Sequence, residues 1–443
     1  MKNFTVIQSV YDSEKERTIE KLSDLYENFS LLKRTISSII NDDIKDDQLK
    51  GKKILLKPNW VLHSRKKSDD LCMRTHDNFL LATLEIILEK KPSKVIVGDA
   101  PIQGCSWDKM ITPVFLEKVK KLSARFAIPV EIKDFRRRIF DPAKNNPVSE
   151  RTPLSEYIIF DLGKESFLEP ISLSNKNIFR VNNYNPDRLT ETHTVGTHKY
   201  CITKELFDVD VVISIPKIKT HQKTGITGAL KNLVGVNGDK DFLPHHRLGG
   251  TGFGGDCYPG KNYLRLWSEL SQDNANRNQG KFTYWFWIKI SSILWRMTKT
   301  TKVHHLAASW YGNDTTWRMV LDLNKIAIYG RADGSLADQP QRTLFSLCDG
   351  IIGGHGDGPL KPKPLPLGVI CFSNNSAISD ISMALLMRFD FHKIPLLEGA
   401  YNLSEKNDIS LIFNGSPITF NGLSSHAIDT LPAPGWVEYL KAK

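Results

Sequence analysis

The densest chemistry in this chain lies between residues 209 and 235. Ser214-Ile215-Pro216-Lys217-Ile218-Lys219-Thr220-His221 is followed closely by Gly225-Ile226-Thr227-Gly228-Ala229-Leu230-Lys231-Asn232. The apolar run DVVISIP (210–216) reads as a buried strand that stops at a proline. It would deliver Lys217, Lys219 and His221 beyond its carboxyl end, where open α/β sheets bind their ligands. Lysines hold anions, and an imidazole moves protons near neutrality. Gly225 and Gly228 permit close backbone approach, and a helix expected over 225–235 would turn unpaired N–H groups toward an anion. Lys231 falls on that helix, ten residues after His221. The pattern points to a site for a small anionic ligand. The plain alternative is a strand–loop–helix turn whose lysines face water.

Further candidates stand at other strand ends. Lys57 and Asn59 close the run KILLK (53–57), Thr75-His76 opens the next helix, and Asp99 ends KVIVG (94–98). In a doubly wound sheet these would line the same edge as His221, and a His with an Asp would form a proton-transfer pair. Their ordinary reading is turn chemistry, with Asp99 capping before Pro101. His355-Gly356-Asp357-Gly358-Pro359 follows another strand candidate; its backbone N–H groups suit a phosphate, or it is simply a tight loop. His245-His246 and Asp256 could meet a metal, although adjacent histidines on a loop more often bind none.

These residues need elements to position them. KILLK, a helix over 76–91 capped by Thr75, and KVIVG form a βαβ unit and hence a parallel sheet. A helix over 111–126 and a strand over 129–135 continue the rhythm. Residues 136–152 read as a charged surface excursion. DGIIGG (349–354) and LGVICF (367–372) flank a Gly/Pro/Lys loop and lead into a helix over 376–389. Residues 239–312 are rich in Gly, His, Trp and Tyr with no convincing strand, and read as a mostly helical insertion or lid. Within it, KFTYWFWIKISSILWRMTK (281–299) is amphipathic: Phe286, Ile290, Ile293, Leu294 and Met297 oppose Lys289, Ser292, Arg296 and Lys299. Such a helix either packs on the body or lies on a membrane surface.

Size and composition bound the rest. The chain of 443 residues exceeds what one core usually covers, and its formal charge of +11 favours anionic partners. No nucleic-acid-binding signature accompanies that charge, so nucleic acid is not an expected partner. The six scattered cysteines form no metal knuckle or iron–sulfur pattern and suit a reducing compartment. With no secretory leader and no long apolar run, the expected location is cytoplasmic, with membrane association left open through 281–299.

The motifs KILLKPNW (53–60), THDNFLLATLEIILEK (75–90), KVIVGDAP (94–101), IPKIKTH…GITGALKNLVG (215–235), CDGIIGGHGDGP (348–359) and LGVICFSNNSAISD (367–380) resemble the family of domain of unknown function 362. The family carries no settled activity. Some members have iron–sulfur segments, whose cysteines this chain lacks, so no cluster is expected. More distantly, His221, the Gly-Ile-Thr-Gly stretch and Lys231 are similar to a segment of the catalytic subunit of nickel-dependent lactate racemase. That resemblance implies a nickel-pincer nucleotide carried on Lys231, with His221 near the nickel. The racemase's other histidine motif is not evident here, and nothing is carried over to His76 by motif. Short motifs in the insertion resemble a subset of family members that look glycan-associated.

The expected architecture is α/β: two parallel-sheet units with a ligand crevice between them and a helical lid. Residues 1–135 form the first unit, 136–238 carry the Lys/His/Gly motif, 239–312 the lid, and 313–443 the C-terminal segment. The expected catalytic set is His221 and Lys231, with Asp99 as an auxiliary carboxylate and His76. Lys217, Lys219, Lys57, Asn59, Asn232, Gly225, Thr227, Gly228, Gly356 and Asp357 would hold the anion or a phosphate-bearing cofactor. The expected activity is racemase- or epimerase-like proton or hydride movement on a hydroxy acid, sugar acid or glycan precursor. The alternatives are phosphoryl or nucleotidyl transfer, weakened by the absence of a Gly-x-x-x-x-Gly-Lys-[Ser/Thr] loop, and a non-catalytic membrane-surface or accessory binding protein.

Overall fold

Ile54 and Leu56 pack into one hydrophobic cluster and Leu55 into another on the opposite face of the same strand. A strand buried on both faces belongs in the interior of a parallel sheet. The computed structural model, which describes residues 3–41, 46–140, 148–173, 178–298, 307–404 and 409–440, places it there. The sheet has 12 strands: β1 (Asn3–Ser9), β2 (Lys53–Pro58), β3 (Lys94–Asp99), β4 (Val130–Asp134), β5 (Val211–Ile215), β6 (Lys217–His221), β7 (Gly225–Thr227), β8 (Thr343–Asp357), β9 (Lys361–Leu365), β10 (Val369–Ser373), β11 (Ile409–Phe413) and β12 (Ser416–Pro417).

Its order is β12-β11-β1-β10-β8-β5-β2-β3-β4. The block from β8 to β4 is parallel, and β10 runs antiparallel to both β8 and β1. The α/β class and the parallel sheet agree with the sequence. The strands expected for two units nevertheless join one sheet, because β5 from the middle of the chain pairs with β2 on one side and β8 on the other. Beyond Pro216, β6 continues alongside the long β8, setting Lys217 opposite Asp349. Helices α1 (Ile19–Glu27) and α2 (Asp77–Glu89) cover the face that holds Ile54 and Leu56.

Several expectations need correction. The helix over 225–235 is instead β7, the four-residue helix α3 (Ala229–Asn232) and a 3-10 turn over Leu233–Val236. Gly225 sits at φ +75, and Thr227 pairs with Lys219, so the glycines serve a hairpin. The loop between the late strands contains β9, where Pro362 and Pro364 are tolerated on an edge strand. Thr75 does not cap α2. Its hydroxyl donates to Ile215 O at 2.6 Å, and His76 caps instead, Nδ1 accepting from Asn78 N at 3.2 Å. The region 136–152 includes a short hairpin of Arg138–Phe140 and Val148–Glu150, with 141–147 outside the described residues. The insertion does contain a two-residue strand, His246–Arg247, paired with Phe179–Arg180. Its main feature is a pair of helices, α4 (Tyr263–Arg277) and α5 (Thr283–Thr298); Lys299 lies outside the described residues.

Candidate functional site

Lys217, Lys219 and His221 share one side of β6, as alternate residues of a strand must. All three are buried, Lys217 and Lys219 completely and His221 nearly so. Innermost, Lys217 Nζ is 2.7 Å from Asp349 Oδ2 with both side chains fully buried, and it also donates to Tyr26 Oη at 3.0 Å. Tyr26 in turn donates to Asp349 and stacks on the His76 ring at 4.0 Å. Asp349 also accepts from the His76 backbone N–H at 3.0 Å. Burial, then the Lys217 charge, lowers the His76 pKa to about 3. His76 and Lys217 therefore belong to a closed network that locks α1, α2, β6 and β8 together.

One step outward, Lys219 donates to Asn59 Oδ1 at 2.8 Å and to the Met73 carbonyl. Asn59 and Asn232 are joined at 3.3 Å, and Asn232 Nδ2 donates to Lys57 O at 2.8 Å and Ser214 Oγ at 3.0 Å. Lys57 Nζ lies 2.6 Å from Asp99 Oδ1. The Asp99 carboxylate also accepts from Trp60 N at 2.7 Å and Ala100 N at 2.8 Å. Both oxygens of Asp99 are thus occupied by the scaffold. This network pins the carboxyl ends of β2, β3 and β5. Gly235 passes so close that a Cβ there would overlap the Asp99 carboxylate and the Lys57 ammonium.

Outermost, His221 and Lys231 come together with Lys223 and Lys240, to which the sequence assigns no role, and with His245, which it offers only as part of a metal-binding pair. His221 Nδ1 accepts from Lys223 N at 3.1 Å and Thr224 N at 3.3 Å. Its proton must therefore sit on Nε2. His245 has the opposite tautomer, because Nδ1 faces the Leu243 carbonyl at 2.6 Å and can only donate to it. Burial, then Lys231, holds both rings neutral, with pKa values well below 6.5. The Lys231 ammonium has no hydrogen bond or ion pair among the described residues. Burial, then Lys240 and Lys57, lowers its pKa from 10.5 to about 7. Burial also brings Lys219 to about 7, and Lys223 and Lys240 to about 8. Lys240 donates to Ala100 O at 3.2 Å, and Lys223 to the Ala307 carbonyl. The buried Thr227 hydroxyl, opposite Lys219 in the β6–β7 ladder, has no hydrogen-bond partner among the described residues. Near the two imidazoles, positive charge exceeds negative charge, since Asp99 is already paired with Lys57.

The glycines and the helix end act differently from expectation. The Ala229 and Leu230 N–H groups donate to the buried Asp380 carboxylate at 2.6 and 3.0 Å. Asp380 lies on helix α6 (Ser376–Leu386), and a Cβ at Gly228 would overlap its carboxylate. The N-terminus of α3 thus already holds an internal anion. Gly225 packs against Ile394 and Trp436. Gly356 and Asp357 form the tip of the β8–β9 hairpin, where Gly356 N donates to Leu431 O at 2.8 Å and Asp357 accepts from Gln222. A separate cavity of about 320 Å³ beside β4, lined by Trp107, Lys133, Tyr157 and Glu205 among others, contains none of these site residues. Asp256 is occupied by Arg247 N, Asp314 N and Thr315 Oγ1. Among the described residues no group of three or more His, Cys, Asp or Glu side chains could hold a metal ion.

Fold and geometry define an α/β protein with a largely buried Lys/His cluster at the carboxyl ends of parallel strands. Residues 164–384 match the model of a domain of unknown function, DUF362, and the chain belongs to that family. The matched span includes His221, Lys231, Lys240, His245 and Asp380, whereas Lys57 and Asp99 precede it. No curated protein matches the chain. Among solved structures, a protein from Thermotoga maritima aligns at 10% identity with a TM-score of 0.33, over 85% of this chain and 58% of that one. The chain therefore spans less than two thirds of that protein's length.

Proposed function

We propose that the chain is an enzyme that moves a proton on a small anionic, hydroxylated substrate such as a hydroxy acid or sugar acid, in the manner of an epimerase or racemase. The observation that carries this reading is the pair of neutral imidazoles in opposite tautomers beside an unpaired Lys231. His221 offers an N–H donor to a substrate oxygen, while His245 offers a lone pair. With its pKa near 7, Lys231 is partly free amine at neutral pH and can accept a proton. Lys219, Lys223 and Lys240 supply the charge that holds a carboxylate.

The direct test incubates the full chain with a panel of hydroxy acids and sugar acids in deuterium oxide and follows exchange of the hydrogen next to the carboxylate by NMR. Exchange with at least one member, lost in His221→Gln and in Lys231→Met, is the expected result. No exchange across the panel, in protein whose melting temperature rises with those same acids, would sink the reading. Lys219, Lys223, Lys231 and Lys240 around one pair of imidazoles can neutralise more charge than a single carboxylate carries. Phosphoryl or nucleotidyl transfer is accordingly the second reading, favoured if nucleotides bind more tightly than sugar acids.

A further inference from the structure

We infer that the α4–α5 hairpin is a docking surface for an anionic lipid bilayer, independent of the chemistry in the crevice. Helix α5 lies on α4 through small residues: Ser268 Oγ donates to Ser291 O at 2.9 Å, and Ser291 Oγ to Ser268 O at 3.0 Å. The Arg265 guanidinium lies 5.0 Å from the Trp295 ring centroid and fixes the far end of the pair. This packing uses one side of α5 and leaves the opposite side in solvent. On that side Trp285 is 64% exposed, Phe286 56%, Ile293 57% and Met297 51%. Trp267 at 53% and Tyr263 at 61% extend the apolar surface onto α4. Large aromatic and aliphatic side chains grouped this way mark an interaction surface.

The charge pattern selects the occupant. Lys289 and Arg296 are interleaved with the exposed apolar residues, with Lys281 just before the helix. From Asn274 to Asn313 the sequence contains no Asp or Glu, but six Lys or Arg residues. The nearest acidic side chains of α4 turn inward: Asp273 pairs with Arg180 at 2.9 Å, and Glu269 accepts from Gly249 N at 2.8 Å. Arg277 is already paired with Asp187 at 3.0 Å, so the free cations are those of α5 and its approach. A second copy of the chain would set like charges against each other across a two-fold interface. An anionic headgroup layer meets them with opposite charge, while the Trp and Phe rings enter the acyl boundary. Among the described residues no helix is long and apolar enough to cross a bilayer, so the hairpin would lie in the interface.

Flotation of the full chain with vesicles tests this. Vesicles of phosphatidylcholine mixed with phosphatidylglycerol should carry the protein, and vesicles of phosphatidylcholine alone should carry far less. Lys289→Gln with Arg296→Gln should weaken binding by about fivefold per charge removed. Trp285→Ser with Phe286→Ser should abolish it without changing the circular dichroism spectrum or the melting temperature, because both side chains are exposed. Failure of the unaltered chain to float with the anionic vesicles, or flotation indifferent to both double variants, would overturn the inference. Concentration-dependent dimerisation abolished by Trp285→Ser with Phe286→Ser, without vesicle binding, would reassign the face to a second copy and also overturn it.

Discussion

Lys231 should act against the stability of the ligand-free fold, with a characteristic dependence on pH. In the unfolded chain its ammonium titrates near 10.5, and in the folded chain near 7. Between those values the unfolded state binds more protons, so stability rises with pH. Below pH 7 both states are protonated and the folded state carries the whole burden of an unpaired, largely buried charge. The gap between 10.5 and about 7 corresponds to at most about 5 kcal/mol. Because the side chain retains some contact with solvent, screening should reduce this to about 2–3 kcal/mol.

Lys231→Met keeps most of the side-chain volume and removes the charge. Urea unfolding across the pH range should find the Met variant more stable than the parent by about 2–3 kcal/mol below pH 7. The advantage should shrink as pH rises from 7 toward 10.5. Inorganic pyrophosphate at 100 times its Kd should erase most of that advantage, since it adds about 2.7 kcal/mol to the chain that binds it. A stability difference that does not change with pH, or a Met variant that is less stable at low pH without ligand, would refute the electrostatic reasoning.

Two further substitutions probe the scaffold beneath the crevice. Gly235→Ala should destabilise the chain by about 3–5 kcal/mol in urea unfolding, because the added methyl displaces the Asp99–Lys57 pair; a loss under about 1 kcal/mol would mean the backbone gives way instead. Asp349→Asn should cost a similar amount, about 3–5 kcal/mol, by leaving Lys217 buried without its counter-charge. Adding Lys217→Met to Asp349→Asn should recover most of that loss, and two purely additive losses would show that the residues are not coupled.

Apolar runs and their spacing were enough to read the centre of the fold from the sequence. KILLK, KVIVG and DVVISIP became β2, β3 and β5 because each is buried on both faces and has no other stable place. The amino-terminal strand β1 is not legible locally, since NFTVIQS has an intermediate pattern whose meaning depends on β10 and β11, hundreds of residues away. The sheet's continuity was equally non-local. Nothing within DVVISIP specifies that β5 separates β2 from β8. Lys361–Leu365 looked like a loop because its two prolines argue against an interior strand, but an edge strand accepts them.

At the site, residue types revealed the charge but not which charges were already occupied. His221 and Lys231 were legible because a strand end, glycines and cations coincided. Lys217, Lys57 and Asp99 carry the same local signal, yet each is matched by an opposite charge distant in sequence, Asp349 for the first and one another for the last two, whereas Lys219 meets only the neutral Asn59 oxygen and the Met73 carbonyl. The most instructive case is the start of α3. A glycine before a helix normally advertises free N–H groups, but Asp380 from another helix fills that position. Burial pushes the Asp380 pKa up to about 7, so the fold sustains an internal carboxylate only because those N–H groups meet it. An external anion is therefore left with side-chain ammonium groups and imidazoles rather than a helix end. Lys223 sits inside the motif but between its two recognisable halves, whereas Lys240 and His245 follow it in the chain and approach Lys231 only in the folded state.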